Sequence, residues 1–249
     1  MQRTLGNATM GLHALPLAQH GNLEKVQHDL GVTGLVIDCG YSECRVVPVL
    51  FGSILSMCVE ILPIGSKHVL RNLKELLCGD VASSTNIDNH QEHLMLEDVL
   101  SRLCFCSYPS ADNNDSNSQT IIYKYSVGSV EIPVTHKTRT KSCEFIFEPL
   151  TRAIIECVKR LETEARGQVL RNVIVCGGLS ELNGFKQRLI AVLNKHVLAQ
   201  DFGSNKNWLK HMGINTFNPT RSSLLNWYGA SIAFSHYSYA QSKTIKHDQ

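Results

Sequence analysis

Two stretches decide how this chain folds: Gly34-Leu35-Val36-Ile37-Asp38-Cys39-Gly40-Tyr41-Ser42 and Asn172-Val173-Ile174-Val175-Cys176-Gly177-Gly178-Leu179-Ser180-Glu181-Leu182-Asn183-Gly184-Phe185. Each is a short apolar run that stops at a turn of Gly and small polar residues. Apolar runs of this length, bounded by turn signals, read as buried strands. Glycine in the turn lets backbone come close to a ligand and lets N–H groups point at it. Each stretch therefore reads as half of a phosphate clamp.

Outward from the first stretch, Leu35–Asp38 predicts a strand, Cys39–Glu43 a turn, Cys44–Leu50 a second strand and Ile54–Leu62 a third. Three short strands with tight turns make a meander. Pro48 suits an edge or a bulge better than a central position. A helix follows Pro63-Ile64-Gly65, with Val69, Leu70, Leu73, Leu76 and Leu77 on one face, Ser66 as N-cap and Gly79 as stop. Residues 80–93 and 107–119 read as polar loops, with a helix over Leu94–Cys106 between them and a hairpin through Gly128 over 120–134. Phe147–Leu161 carries Leu150, Ile154, Ile155, Val158 and Leu161 on one helical face, with Pro149 in the first turn. Outward from the second stretch, a helix is expected over Phe185–Leu198 and a last one over Ser223–Tyr237. Residues 1–33 read as the tail of an element whose beginning is missing.

The chain has 249 residues, 43% apolar and 18% charged, with a formal net charge of +2. A chain of this size buries roughly 70–75% of its unfolded surface, so its core needs no disulfide or metal support. Lys and Arg are scattered, without the basic stripe of a nucleic-acid binder. Nine cysteines occur with no C-x-x-C, several in apolar segments, which fits free thiols in a reducing compartment. No apolar run reaches the roughly 18 residues of a membrane span. Met1–Gly11 lacks a continuous apolar segment, so a secretory signal is not expected. The expected location is the cytoplasm.

Asp38, ending a buried strand before Gly40, would order a hydrated magnesium near a phosphate, or it is a turn aspartate bonding nearby N–H groups. Gly177-Gly178 would bring backbone against a nucleotide, or it is a strand-to-helix turn needing positive φ. No G-x-G-x-x-G or G-x-x-x-x-G-K-[ST] occurs. Cys78, His90, His93, Cys104 and Cys106 are soft ligands around a polar loop, but their spacing matches no ordinary zinc pattern. No Cys/His pair can be placed for nucleophilic catalysis. His136-Lys137-Thr138-Arg139-Thr140-Lys141 reads as a solvated loop, or as a contact for an acidic partner surface.

In order and spacing these segments resemble the actin superfamily. Thr33–Gly40 with Val46-Val47-Pro48-Val49 and Phe51-Gly52 resembles the second phosphate-binding hairpin of actins, and Leu62-Pro63-Ile64-Gly65 the segment where a glycine approaches the nucleotide. Leu100–Cys106 is similar to the short helix before the outer-subdomain loop, and Ser126–Pro149 to the hairpin leading back into the large subdomain. Val175-Cys176-Gly177-Gly178 with Asn183-Gly184-Phe185 resembles the adenosine motif, and Trp227-Tyr228-Gly229-Ala230-Ser231-Ile232 the late tryptophan–glycine helix. The chain departs from actins at Tyr41 and Ser42, where they carry an Asp and a Gly, and at Leu179, where a small hydroxyl residue is usual. Actin's first phosphate hairpin, with its own Asp and Lys, has no counterpart in the 33 residues before Gly34.

The resemblance implies an α/β, actin/Hsp70-like (ribonuclease H-like) half with a smaller inserted α+β subdomain. Residues 1–33 would be a remnant of a preceding subdomain, 34–66 plus 146–225 the large subdomain, 67–145 the insertion, and 226–249 a C-terminal helix and tail that packs on the first half. Within the superfamily, Val36–Tyr41 and Asn172–Gly178 look most like the divergent actin-related proteins at the pointed end of dynactin. That resemblance implies a non-catalytic cytoskeletal subunit whose partners are the actin-like filament and other pointed-end proteins, supporting dynein-driven transport, with neither nucleic acid nor membrane insertion. Asp38, Gly40, Gly65, Gly177 and Gly178 would be vestiges of a nucleotide site. ATP or ADP with magnesium is the cofactor the family would bring, and the departures count against it. The alternatives are an actin-fold ATPase and a nuclear actin-related scaffold of a chromatin complex.

Overall fold

A computed structural model describes residues 33–80, 89–107, 120–125, 130–199 and 221–235. Its centre is a five-stranded sheet. Strand β1 (Gly34–Cys39) pairs antiparallel with β2 (Cys44–Leu50) and parallel with β7 (Val173–Cys176). The short strands β3 (Ser53–Ile54) and β4 (Glu60–Leu62) both line the outer side of β2. β1 and β7 read as unbroken apolar runs because both faces of the sheet are covered. Leu35, Ile37, Val46, Val173 and Val175 face the large core. Val36, Val47, Val49, Ile174 and Cys176 face a second cluster closed by Leu225 and Ile232.

The expected third strand over Ile54–Leu62 is broken. A 3-10 turn at Ser56–Cys58 separates β3 from β4. Opposite the gap lies Pro48, which pairs with Leu35 on the inner side and accepts the Leu55 N–H through its carbonyl on the outer side. N–H and C=O of one strand residue point the same way, so proline leaves the outer neighbour without a donor and its ladder stops there.

Helix α1 (Ser66–Asp80) packs beside α2 (Asn89–Leu103). Ser66 is the first helical residue rather than the cap, and Gly79 lies inside α1 rather than stopping it. α2 begins earlier than the expected Leu94. β5 (Ile121–Tyr125) and β6 (Val130–Val134) form the expected hairpin, while its turn and the 107–119 loop fall largely outside the described residues.

The basic stretch is helix α3 (His136–Lys141), not a solvated loop. Thr135 caps it by accepting the Thr138 N–H, and Thr138 and Thr140 are buried. Arg139 donates from Nε to the Leu103 carbonyl at 2.8 Å and lies 4.9 Å from the centre of the Phe105 ring. Its charge serves the interior as well as the surface.

Helix α4 (Phe147–Arg160) buries Phe147, Leu150, Ile154, Ile155 and Val158. Helix α5 (Thr163–Val169), which the sequence reading missed, follows at once. Arg166 of α5 donates to the Leu161 and Lys159 carbonyls, meeting groups left open at the end of α4. Helix α6 (Phe185–Ala199) and α7 (Leu225–Ser235) complete the described chain. Trp227 and Phe234 of α7 remain 65% and 58% exposed. The packing expected of the final helix on the first half of the fold is not represented among the described residues.

Candidate functional site

Parallel pairing puts the C-terminal ends of β1 and β7 side by side, with Asp38 opposite Cys176. Both turns therefore open at the same edge, where ligands of open α/β sheets bind. The alternation along β1 sends Asp38 to the face that carries Cys176, under α7. There the Cys176 thiol donates to the Asp38 carboxylate, and Asn226 of α7 reaches the same thiol. Burial raises the Asp38 pKa, Arg45 opposes the rise and Glu43 adds to it. Burial likewise pushes the Cys176 thiol well up, so it is a poor nucleophile.

All five glycine and aspartate positions singled out from the sequence converge here, for different reasons. Gly177 has φ +91°, and a Cβ there would stand 2.4 Å from the Cys39 carbonyl oxygen and 2.8 Å from Asp38 Oδ1. A Cβ on Gly65 would meet the Tyr41 and Gly40 carbonyl oxygens at 2.5 and 2.6 Å. Those carbonyls accept the Lys67 and Ser66 N–H groups at 3.0 Å each, so the start of α1 is satisfied by the chain's own turn. On Gly40 a Cβ would meet only the Glu43 carbonyl, at 3.1 Å. Gly178 differs: its φ is not positive, and a Cβ there would touch nothing within 4 Å. Among the described residues nothing packs against it that would require a glycine.

At the turn itself Tyr41 is 53% exposed, and its ring packs edge-on to His93 of α2 at 6.2 Å. Glu43 bonds Arg45.

The soft-ligand set named from the sequence does not assemble. His93 faces Glu97 and Tyr41, whereas Cys104 and Cys106 turn inward. Cys106 Sγ lies 3.3 Å from Cys143 Sγ, and burial pushes the Cys104 thiol up to about 11. The Cys78 side chain lies outside the described residues. Among the described residues no group of three or more His, Cys, Asp or Glu side chains is placed to hold a metal ion.

Sequence reasoning missed Lys186. It sits in the first turn of α6, is only 8% exposed, and lines a cavity with Ser180, Glu181, Asn183 and Arg221. The only signal available was a lysine immediately following the Gly184-Phe185 helix start.

Compared with known proteins, residues 9–248 match the family profile described as Actin. The chain is 24% identical to "Actin-related protein 10" of Dictyostelium discoideum, over 86% of this chain and 54% of that protein. It is 19% identical to "Actin-related protein 2" of Arabidopsis thaliana over 81% of this chain and 54% of that protein. Against "Centractin" of Saccharomyces cerevisiae it is 20% identical, over 80% of this chain and 52% of that protein. The chain thus spans about half the length of these curated relatives. Among the described residues no helix is long and apolar enough to cross a membrane.

Proposed function

Because this chain belongs to the actin family, we propose that it works as a non-catalytic structural subunit, capping the pointed end of the actin-like filament of dynactin and supporting dynein-driven transport. One observation carries the reading: the Asp38–Ser42 turn is committed to the chain's own packing. Its acid is half-buried and bonded to a thiol, its Gly40 and Tyr41 carbonyls hold the start of α1, and its Tyr41 ring rests against α2. Phosphoryl transfer needs charge stabilisation and an oriented nucleophile around the transferred group. A turn spent on internal contacts offers little of either.

The dynactin assignment draws on the resemblance of Val36–Tyr41 and Asn172–Gly178 to pointed-end actin-related proteins, and the similarity to "Actin-related protein 10" of Dictyostelium discoideum supports it. Its partners are the filament subunits and the other pointed-end proteins, and its place is the cytoplasmic cytoskeleton. The division into a large subdomain (34–66 plus 146–225) with an insertion (67–145) belongs to the same reading. The test is co-purification of a tagged chain from cytosol. Recovery of dynactin subunits is expected. Recovery of chromatin-complex subunits instead, or ATP turnover that disappears in Asp38→Ala, would overturn it.

A further inference from the structure

Cys106 and Cys143 meet sulfur to sulfur although 37 positions separate them. Cys106 lies just beyond α2, alongside the turn before α6: its N–H donates to the Asn183 carbonyl at 2.8 Å, and Phe105 forms a bridge with Asn183. Cys143 lies between α3 and α4, and its carbonyl accepts the Ile146 N–H at 3.2 Å. Backbone hydrogen bonds thus fix both passages, and they hold the two Sγ atoms 3.3 Å apart. A disulfide needs about 2.0 Å between its sulfurs, so the pair has about 1.3 Å left to close.

The contact makes the two sulfurs unequal. With the Cys106 thiol facing it, Cys143 is held below the ordinary cysteine range, while the same contact and burial push Cys106 up. The thiolate is the reactive form, which makes Cys143 the nucleophile of the pair and Cys106 the resolving thiol. Arg188 places a positive charge beside Cys106 and pairs with Glu144, its Nε 3.1 Å from Oε1. Cys104, also beside Cys143, is kept a thiol by burial, which pushes it up to about 11. Cys39 and Cys44 face each other across β1 and β2, but both are 0% exposed, and the Cys44 contact and burial push Cys39 well up. Cys106 retains 6% exposure.

We propose that Cys106 and Cys143 are an oxidation site, closing to a disulfide when a hydroperoxide reaches them and reopening when a dithiol reduces the bond. The Cys143 thiolate attacks one peroxide oxygen. An S–O bond forms, the O–O bond breaks, and the departing hydroxide takes up the proton that Cys143 released and leaves as water. Cys106 sulfur then attacks the sulfenic sulfur. The S–S bond forms, the S–O bond breaks, and the Cys106 proton departs with the hydroxyl as a second water. Two electrons have passed from sulfur to peroxide. The loop so closed contains β5, β6 and α3. Oxidation therefore ties that unit to the passage beside α6 without touching Asp38 or the glycine turns. The site is independent of the filament-end reading.

The test is treatment of the folded full chain with hydrogen peroxide, then alkylation in urea, intact mass and peptide mapping. The expected product has lost two hydrogens, maps to Cys106 joined to Cys143, and returns to the parent mass with dithiothreitol. It should also unfold at higher urea than the reduced chain, because the cross-link constrains the unfolded state. Cys143→Ser should abolish the product. Cys106→Ala should stop the reaction at a Cys143 sulfenic acid that dimedone traps, and this variant decides the matter should Cys143→Ser fold poorly. Cys58→Ser, at a half-buried cysteine outside the pair, should leave the link unchanged. Free Cys106 and Cys143 after peroxide, a link that maps to other cysteines, a link that forms only in urea, or an oxidised chain that unfolds at lower urea would overturn the proposal.

Discussion

The two glycines that end β7 are held for different reasons, and alanine should separate them by sign. Gly177 has φ +91° and ψ 159°, a region essentially confined to glycine, where a side chain costs on the order of 1–3 kcal/mol. The added Cβ would also stand 2.4 Å from the Cys39 carbonyl oxygen. That oxygen belongs to the end of a buried strand and cannot swing aside as a flexible side chain would. Overpacking of this kind costs about 1–3 kcal/mol, and the stiffer unfolded chain returns about 0.4–1 kcal/mol. Gly177→Ala is therefore expected to lose about 1–6 kcal/mol. Gly178→Ala meets nothing within 4 Å among the described residues and is expected to gain about 0.4–1 kcal/mol. Equilibrium urea unfolding measures both, provided the slope of free energy against denaturant is unchanged. Equal effects at the two positions, or a Gly177→Ala change within about 0.5 kcal/mol of the parent, would refute the reasoning.

Two other substitutions probe the polar groups of the interior. Burial holds the Asp38 pKa above its ordinary 3.8, so the folded chain binds more protons there than the unfolded chain. Its contribution is thus fully present below the ordinary value and is lost as pH rises through the raised one. Asp38→Asn should raise the urea midpoint at neutral pH, the gain vanishing in acid; a lower midpoint at neutral pH would mean that the Cys176 and Arg45 contacts outweigh burial. Thr151 of α4 is 0% exposed, and its hydroxyl has no hydrogen-bond partner among the described residues. Thr151→Val, of nearly the same shape, should add about 1 kcal/mol in the same assay, and a loss of stability would show that the hydroxyl is satisfied.

β1, β2 and β7 were legible because strands covered on both faces leave continuous apolar runs ended by turn residues. The break between β3 and β4 was not, since it follows from a missing donor on a neighbouring strand, and pairing is not written in either segment alone. α5 escaped notice because Gly167 interrupts a short run whose place depends on Arg166 reaching back to α4. In α3 a readable sign existed, Thr135 three residues before Thr138, but the run of charges obscured it. At the site, the positions were legible and the reasons were not. Whether a glycine answers to its own chain, as Gly65 and Gly177 do, or to nothing visible, as Gly178 does, depends on what stands opposite it. Lys186 was missed because a lysine in a first turn is ordinarily exposed.

The seam between β1 and β7 joins partners far apart in the chain: the Asn172 amide donates to the Thr33 carbonyl, 139 positions upstream. Closing so long a loop is slow relative to making hairpins. During synthesis the β1–β2 hairpin can form early, yet one edge of β1 stays open until β7 emerges from the ribosome. Over that interval the hairpin is a template for stray strands, and Asp38 stands without the thiol that later engages it. Ribosome-bound chains ending before Val173 should therefore need chaperone cover that chains extending past α6 do not.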